Sequence, residues 1–321
     1  MNKIKQNQPR INSCPGYFIL AAKGFCMGAS DVVPGVSGGT IAFILGIYEE
    51  LINSIKSFDL YSLKLLLTFK IRRLLDRVSW QFPLTVLTGI LTAIFSLAKL
   101  LSWLLYNEPV FIWSFFFGLI LASIITVSRR VKDWRVLAWI SLTGGISGSY
   151  FLVGIVPCAT PVTPWFLFFC GSLSICAMML PGISGSFILV LLGKYHYILD
   201  AVNERDFFTL FLFAGGAFVG IITFSRFLGW LLKNYHDLTV ALLTGLMLGS
   251  LRKVWPFKET IQTFVDNHGQ VIPLVQSNIL PGRWNSEVTG AIIFMLFGLI
   301  TIICLERLSK GNRVKFTVDP Y

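Results

Sequence analysis

Long apolar runs, each closed by a short polar or basic segment, dominate this chain. They lie near residues 83–106, 109–127, 136–157, 207–232, 237–250 and 286–305. A helix crosses a bilayer core of about 30 Å with roughly 20 apolar residues, so the pattern predicts membrane-spanning helices. An open sheet is excluded, because its unpaired edge has no partner in lipid. Two further apolar stretches are interrupted, at Pro34-Gly35-Val36-Ser37-Gly38 and at Pro181-Gly182-Ile183-Ser184-Gly185. Proline lacks an amide donor and glycine accepts unusual backbone angles, so each Pro-Gly ends one limb of a helical hairpin. Ser37 and Ser184 then stand as N-caps of the second limbs.

The two interruptions are copies. Gly46, Tyr48 and Gly24 recur in the same register as Gly193, Tyr195 and Gly171. In a second common register, Leu101-Ser102-Trp103-Leu104-Leu105 recurs as Leu228-Gly229-Trp230-Leu231-Leu232, with Asn107, Gly118 and Ser123 matched by Asn234, Gly245 and Ser250. The register changes because the first half carries an insertion at 57–80, whose leucines among basic residues predict an amphipathic helix on the cytoplasmic surface. The organisation expected is a single transmembrane domain over 1–321, with a first repeat at 11–157 and a second at 160–307, the latter holding an external loop at 251–285. Its polar part, 256–284, contains two prolines and leaves room for a short surface helix. Each repeat has one hairpin and three spans. A hairpin returns to its starting face and three spans cross an odd number of times, so the second repeat is inverted. The limb before Pro34 is short and broken by Lys23, and the limb after Gly39 meets Glu49 and Glu50 within about three turns. The hairpins are therefore read as re-entrant. The fold class is an all-α polytopic membrane protein.

Composition agrees: 55% of residues are hydrophobic and 13% charged, against about 25% charged in a soluble domain. A net charge of +11 would suggest nucleic acid in a soluble protein, but here the basic residues gather on one face. Lys3, Lys5 and Arg10, Lys56 with the basic residues of the insertion, the Arg129–Arg135 loop, Lys233 and the Arg307–Lys315 tail fall on one side; Arg205, Arg252, Lys253, Lys258 and Arg283 fall on the other. The positive-inside rule places both termini in the cytoplasm. The six cysteines have no metal-ligand spacing, and neither a metal nor a cofactor is expected. Lys23 breaks the first apolar stretch and no small-residue cleavage site follows, so no removable signal peptide is read.

The candidate chemistry lies at the breaks. After each Pro-Gly, small residues (Gly38 and Gly39; Gly185 and Ser186) leave backbone amides at the positive end of a helix dipole, an arrangement suited to an anion and above all to phosphate. Gly35, Ser37, Gly38 and Gly39 with Gly182, Ser184, Gly185 and Ser186 are the candidate binding residues. A single break packed by small residues is a common helix-packing device; two in inverted halves point to a shared site. Charges in apolar stretches are functional candidates by default. Arg226 lies mid-span and Lys99 occupies the equivalent place, both suited to a phosphate, with snorkelling the bland reading for Lys99. Asp31 appears in the first copy only, its counterpart being Met178. Asp31 and Glu49 are the candidates for coupling to a proton or sodium ion.

The string Met27-Gly28-Ala29-Ser30-Asp31-Val32-Val33-Pro34-Gly35-Val36-Ser37-Gly38-Gly39-Thr40, continuing to Gly46-Ile47-Tyr48-Glu49, resembles a known family. So do Leu180-Pro181-Gly182-Ile183-Ser184-Gly185-Ser186-Phe187 and Gly193-Lys194-Tyr195. The family is the bacterial polyprenyl-phosphate transporters, formerly a domain of unknown function. The resemblance covers nearly the whole chain, and includes Ser225-Arg226 with Trp230-Leu231-Leu232. It implies return of undecaprenyl phosphate from the outer to the cytoplasmic leaflet, recycling the carrier lipid of peptidoglycan and other envelope glycans, in the bacterial cytoplasmic membrane. Its partners would be that lipid and the surrounding membrane, not nucleic acid. Two rivals stand beside it. Undecaprenyl-pyrophosphate phosphatases have a related Pro-Gly-x-Ser-Arg-Ser motif, but here Gly38 and Gly185 stand at the arginine position and no acidic pair adjoins either serine. A carrier of a small soluble anion would use the same helix ends but seal its cleft from lipid.

Overall fold

The computed structural model describes residues 14–31, 37–57, 61–62, 65, 68–70, 72–73, 78–155, 160–265 and 271–311. Most of the insertion and residues 32–36, including Gly35, lie outside them. The helices are α1 (Cys14–Asp31), α2 (Gly38–Ile44), α3 (Tyr48–Lys56), α4 (Gln81–Asn107), α5 (Pro109–Ser128), α6 (Val136–Gly154), α7 (Pro164–Met179), α8 (Gly185–Leu191), α9 (Tyr195–Asn203), α10 (Phe207–Asn234), α11 (His236–Val254) and α12 (Ser286–Gly311). By length and apolarity α5, α6, α10 and α12 can each cross a membrane. Counting as single spans both α4, bent by 47° between Leu97 and Lys99, and the pair α8–α9, bent by 108°, gives up to six among the described residues.

Packing follows a doubled plan. Helix α1 lies on α4 as α7 lies on α10; α5 lies on α12 as α11 lies on α6. Each pair is closed by reciprocal glycines. A methyl added to Gly24 or Gly89 would overlap the carbonyl of Val86 or Ala21, and one at Gly171 or Gly216 that of Phe213 or Phe168. The pairs Gly118 with Gly298 and Gly245 with Gly145 do the same against Met295, Phe115, Leu142 and Leu242. Lipid tails are as apolar as leucine, so helices in a membrane gain little from burial and associate by close backbone approach, which small residues permit. The turns repeat too. The α4–α5 and α10–α11 turns pivot on Glu108 (φ −131, ψ 52) and Tyr235 (φ −134, ψ 50). Before each, an asparagine caps its own helix: Asn107 Nδ2 donates to Trp103 O at 2.8 Å and Asn234 Nδ2 to Trp230 O at 2.9 Å.

At the centre, every residue of α2 is buried. A helix apolar all round belongs inside the bundle, and α2 touches α1, α3, α5 and α7.

The polar segment 256–284 corrects the sequence reading. It holds no helix among the described residues; β1 (Lys258–Val265) pairs antiparallel with β2 (Val271–Asn278). The reason is local: Thr260, Ile261, Thr263, Val271, Ile272 and Val275 are β-branched and favour extended backbone. The objection to an open sheet holds only in lipid, and this hairpin lies outside the apolar spans. Trp255 Nε1 donates to Ile279 O at 2.9 Å and Asn278 Nδ2 to Arg252 O at 2.8 Å, fastening the hairpin to the end of α11.

The glycine seams make a paired prediction. Gly245→Ala forces α11 off α6 and costs about 1–3 kcal/mol, as overpacking does. Gly144→Ala, one position from the seam and facing open space, is neutral or gains up to about 1 kcal/mol of helix propensity. Thermal unfolding of the two variants in detergent micelles reads the difference.

Candidate substrate site at the broken helices

Both second limbs start and stop alike. Ser37 (φ −118, ψ 130) and Ser184 (φ −102, ψ 137) are extended and precede α2 and α8. Each limb then kinks at a glycine with positive φ, Gly46 at 69° and Gly193 at 61°. Gly46 N–H donates to Phe43 O (3.2 Å) and Ile47 N–H to Ala42 O (3.0 Å); Gly193 donates to Val190 O (2.9 Å) and Lys194 to Leu189 O (2.8 Å). This is helix termination through a left-handed glycine. Each hairpin thus has a second break, which the sequence marked only as a recurring glycine.

The two hairpins meet. Thr40 Oγ1 accepts from Gly182 N–H at 3.1 Å, in the second break. The Tyr48 hydroxyl, buried with 1% exposure, donates to Met179 O at 2.7 Å. Ser37 Oγ lies 3.3 Å from Leu180 O and 3.5 Å from Met178 O. Gly182 adopts φ 89°, and a side chain there would strike Met247 and Ser250 of α11. All three cross-hairpin hydroxyls come from the first copy and all their partners from the second.

Ser37 is the expected N-cap, its Oγ accepting from Gly39 N–H at 3.2 Å. Ser184 holds the same position without capping through its side chain. Its hydroxyl is shared with Ser186 Oγ at 2.7 Å, a local bond that competes with the cap. Ser174 Oγ donates to Gly185 O at 3.0 Å. Asp31 has a definite place: its carboxylate accepts from Gly38 N–H at 2.6 Å. The position that the sequence assigns to a bound anion is filled by the chain's own carboxylate.

The far ends of the short helices are capped by cations and hydroxyls. Arg130 Nη2 donates to Phe43 O at 2.7 Å with its guanidinium 4.9 Å from the Phe43 ring centre, and Lys23 Nζ donates to Leu45 O at 2.9 Å. In the second hairpin the Thr160 hydroxyl donates to the equivalent Leu192 carbonyl, and buried Lys194 donates to Thr160 O. Glu50 sits among the charges of Lys23 and Arg130. Glu49 is half exposed at 51%, with its carboxylate 3.8 Å from His236 Nε2. Of the two glutamates, the coupling candidate Glu49 is thus the solvated one.

Arg226 and Lys99 are exposed, and among the described residues no hydrogen bond or ion pair joins either to the breaks. Arg226 has company that the sequence missed. Lys56, at the end of α3, lies against Gly229, where a methyl would meet its Nζ at 2.5 Å, and the charges of Lys233 and Arg226 act on it. Arg226, Gly229 and Lys233 follow at helical spacing on one face of α10. The sequence had grouped Lys56 with loop charges; only the docking of α3 on α10 brings it here.

Broken, buried helices whose ends meet inside a bundle of spans define a multi-pass membrane protein of the carrier type. The chain belongs to the undecaprenyl phosphate translocase-like family, whose sequence model matches residues 27–272. It is 40% identical over 300 residues to the polyprenyl-phosphate transporter of Vibrio cholerae, covering 92% of this chain and 97% of that one. It is 31% identical over 258 residues to the polyprenyl-phosphate transporter of Staphylococcus aureus, covering 74% and 86%. Both relatives are named as transporters rather than enzymes. No solved structure gives a significant match.

The contact between hairpins predicts a coupled loss. Tyr48→Phe strips the Met179 carbonyl of its donor and Thr40→Val strips the Gly182 amide of its acceptor, each costing about 1–3 kcal/mol. Because both changes act on one break, the double variant departs from additivity by at least about 0.5 kcal/mol in a double-mutant cycle of thermal unfolding.

Proposed function

We propose that this chain carries a polyprenyl phosphate, undecaprenyl phosphate above all, from the outer to the cytoplasmic leaflet by alternating access between two inverted halves. The names of the relatives support the substrate. The duplicated seams, turns and kinks support two halves of one design, and the charge asymmetry of the loops supports inversion with both termini cytoplasmic in the bacterial inner membrane.

The observation that carries the reading is the Asp31 carboxylate on the Gly38 amide where the two hairpins meet. An arrangement that holds one anion by a backbone donor at a helix start can hold another, and a phosphate has more acceptor oxygens than a carboxylate. Phosphate and Asp31 then compete for Gly38 N–H, with Ser37, Gly39, Ser184, Gly185 and Ser186 around them. A proton on Asp31 weakens its hold and favours phosphate; its loss favours release. This is the proton-coupling role, while Glu49 serves at the solvated end. Arg226, with Lys56 and Lys233, neutralises the head along α10, with Lys99 as its counterpart on α4. The isoprenoid tail stays in lipid throughout.

Leaflet accessibility of labelled undecaprenyl phosphate in proteoliposomes tests this. The wild type moves the lipid, faster with a pH gradient. Arg226→Ala loses a charge-assisted contact of about 1.5–3 kcal/mol, hence at least about tenfold in rate. Asp31→Asn keeps an oxygen for Gly38 and folds, but loses the response to the gradient. Undiminished transport by a folded Arg226→Ala protein removes the phosphate-clamp role; an unchanged gradient response in Asp31→Asn removes the coupling role.

A further inference from the structure

Two lysines converge at the end of the bundle that carries the β-hairpin. Lys258, on β1, lays its Nζ 4.5 Å from the centre of the Trp113 ring and donates to Lys253 O at 2.6 Å. Lys253, at the end of α11, lays its Nζ 5.1 Å from the ring centre of Phe187. Phe187 directly follows Ser184-Gly185-Ser186, so this pair adjoins the second break. Both lysines are half-buried, and among the described residues neither has an ion-pair partner.

A single ammonium on an aromatic face is a self-sufficient device. Two held together, half out of water, repel one another unless an anion lies between them. The neighbouring Arg252 shows that the chain could have turned them apart, for it points away, its guanidinium 4.5 Å from the Tyr150 ring centre and Nη1 3.4 Å from Tyr150 O. Position matters as well. Trp113 lies one turn into α5, about 22 Å from Ser128 along the helix, and the basic Arg129–Arg135 loop follows Ser128. The pair therefore stands at the opposite end of a span from the basic face.

We propose that Lys253 and Lys258 form a phosphomonoester station, with Trp113 and Phe187 as the apolar wall for the first isoprene units, where a polyprenyl phosphate docks before reaching the breaks. The station rests on the transport reading for its place in the cycle, though not for its chemistry. It also gives the β-hairpin a role, since β1 delivers Lys258.

Burial beside Lys253 pulls the Lys258 ammonium down to about 7. The groups facing it are Lys253 from α11, the Trp113 ring from α5, Asn278 from β2 and exposed Glu259 on its own strand, while Arg252 turns its charge to Tyr150. Its charge is present below that value and lost above it. Binding through Lys258 therefore weakens as pH rises from 6 to 8, by about tenfold relative to a variant with a permanent charge.

The test is photolabelling of the full-length protein in micelles, using farnesyl phosphate with a diazirine in its first isoprene unit, and mapping of labelled peptides. The expected result is labelling of the peptides holding Trp113 and Phe187. It is lost in a Lys253→Gln, Lys258→Gln double variant that keeps the wild-type thermal midpoint. It is kept in Lys258→Arg, where the relative fall between pH 6 and pH 8 disappears. It persists in Arg226→Ala, so that failure of the inner clamp and failure of this station are distinct outcomes. Unchanged labelling in the folded double variant, or the same pH profile in Lys258→Arg as in the wild type, overturns the station. Displacement by inorganic phosphate as effective as by unlabelled farnesyl phosphate overturns the lipid assignment and leaves a site for free phosphate.

Discussion

A backbone polar group in the apolar interior must find a partner within the protein. Everything distinctive here follows from breaking helices under that rule. Two hairpins interrupted at a Pro-Gly and again at a glycine expose amides at one end of each short helix and carbonyls at the other. The amides of Gly38 and Gly39 are met by Asp31 and Ser37, the carbonyls at the far ends by Arg130, Lys23 and Thr160, and within the second break Thr40 meets the Gly182 amide and Tyr48 the Met179 carbonyl. Among the buried polar residues, Ser37, Thr40, Tyr48 and Lys194 serve those breaks.

The cross-hairpin bonds are one-sided. The first copy supplies Ser37, Thr40 and Tyr48, and the second supplies backbone. Tyr195, the sequence counterpart of Tyr48, is only half-buried and sets its ring against His196 at 5.6 Å. Under the proposed alternating access, halves held in unlike environments are one state of a cycle in which they exchange those environments.

Much of this was legible in the sequence, because a doubled motif is local. Pro-Gly-x-Ser-Gly announced both breaks, Ser37 its cap, and Asp31 its asymmetry. The matched glycines marked the repeat but not the seams, because their partners lie on other helices and carry no sequence signal. What stayed hidden depends on contacts between distant segments. Lys56 read as a loop charge until α3 docked on α10. Lys253 and Lys258 read as scattered residues of an outer loop until β1 folded back on α11. The β-hairpin was missed because a rule about lipid was applied to a segment beyond it, and Ser184 because Ser186 competes for its hydroxyl.

In the proposed mechanism the two breaks form one site whose internal partners give way to a phosphate head. Hydrogen exchange in the reconstituted protein, followed by mass spectrometry with and without a short-chain polyprenyl phosphate, addresses it most directly. The expected result is that the lipid phosphate, and not the matching alcohol, changes exchange together in the peptides spanning Gly38–Ile44 and Gly185–Leu191. A change confined to one of the two peptides, or an equal change with the alcohol, would contradict it.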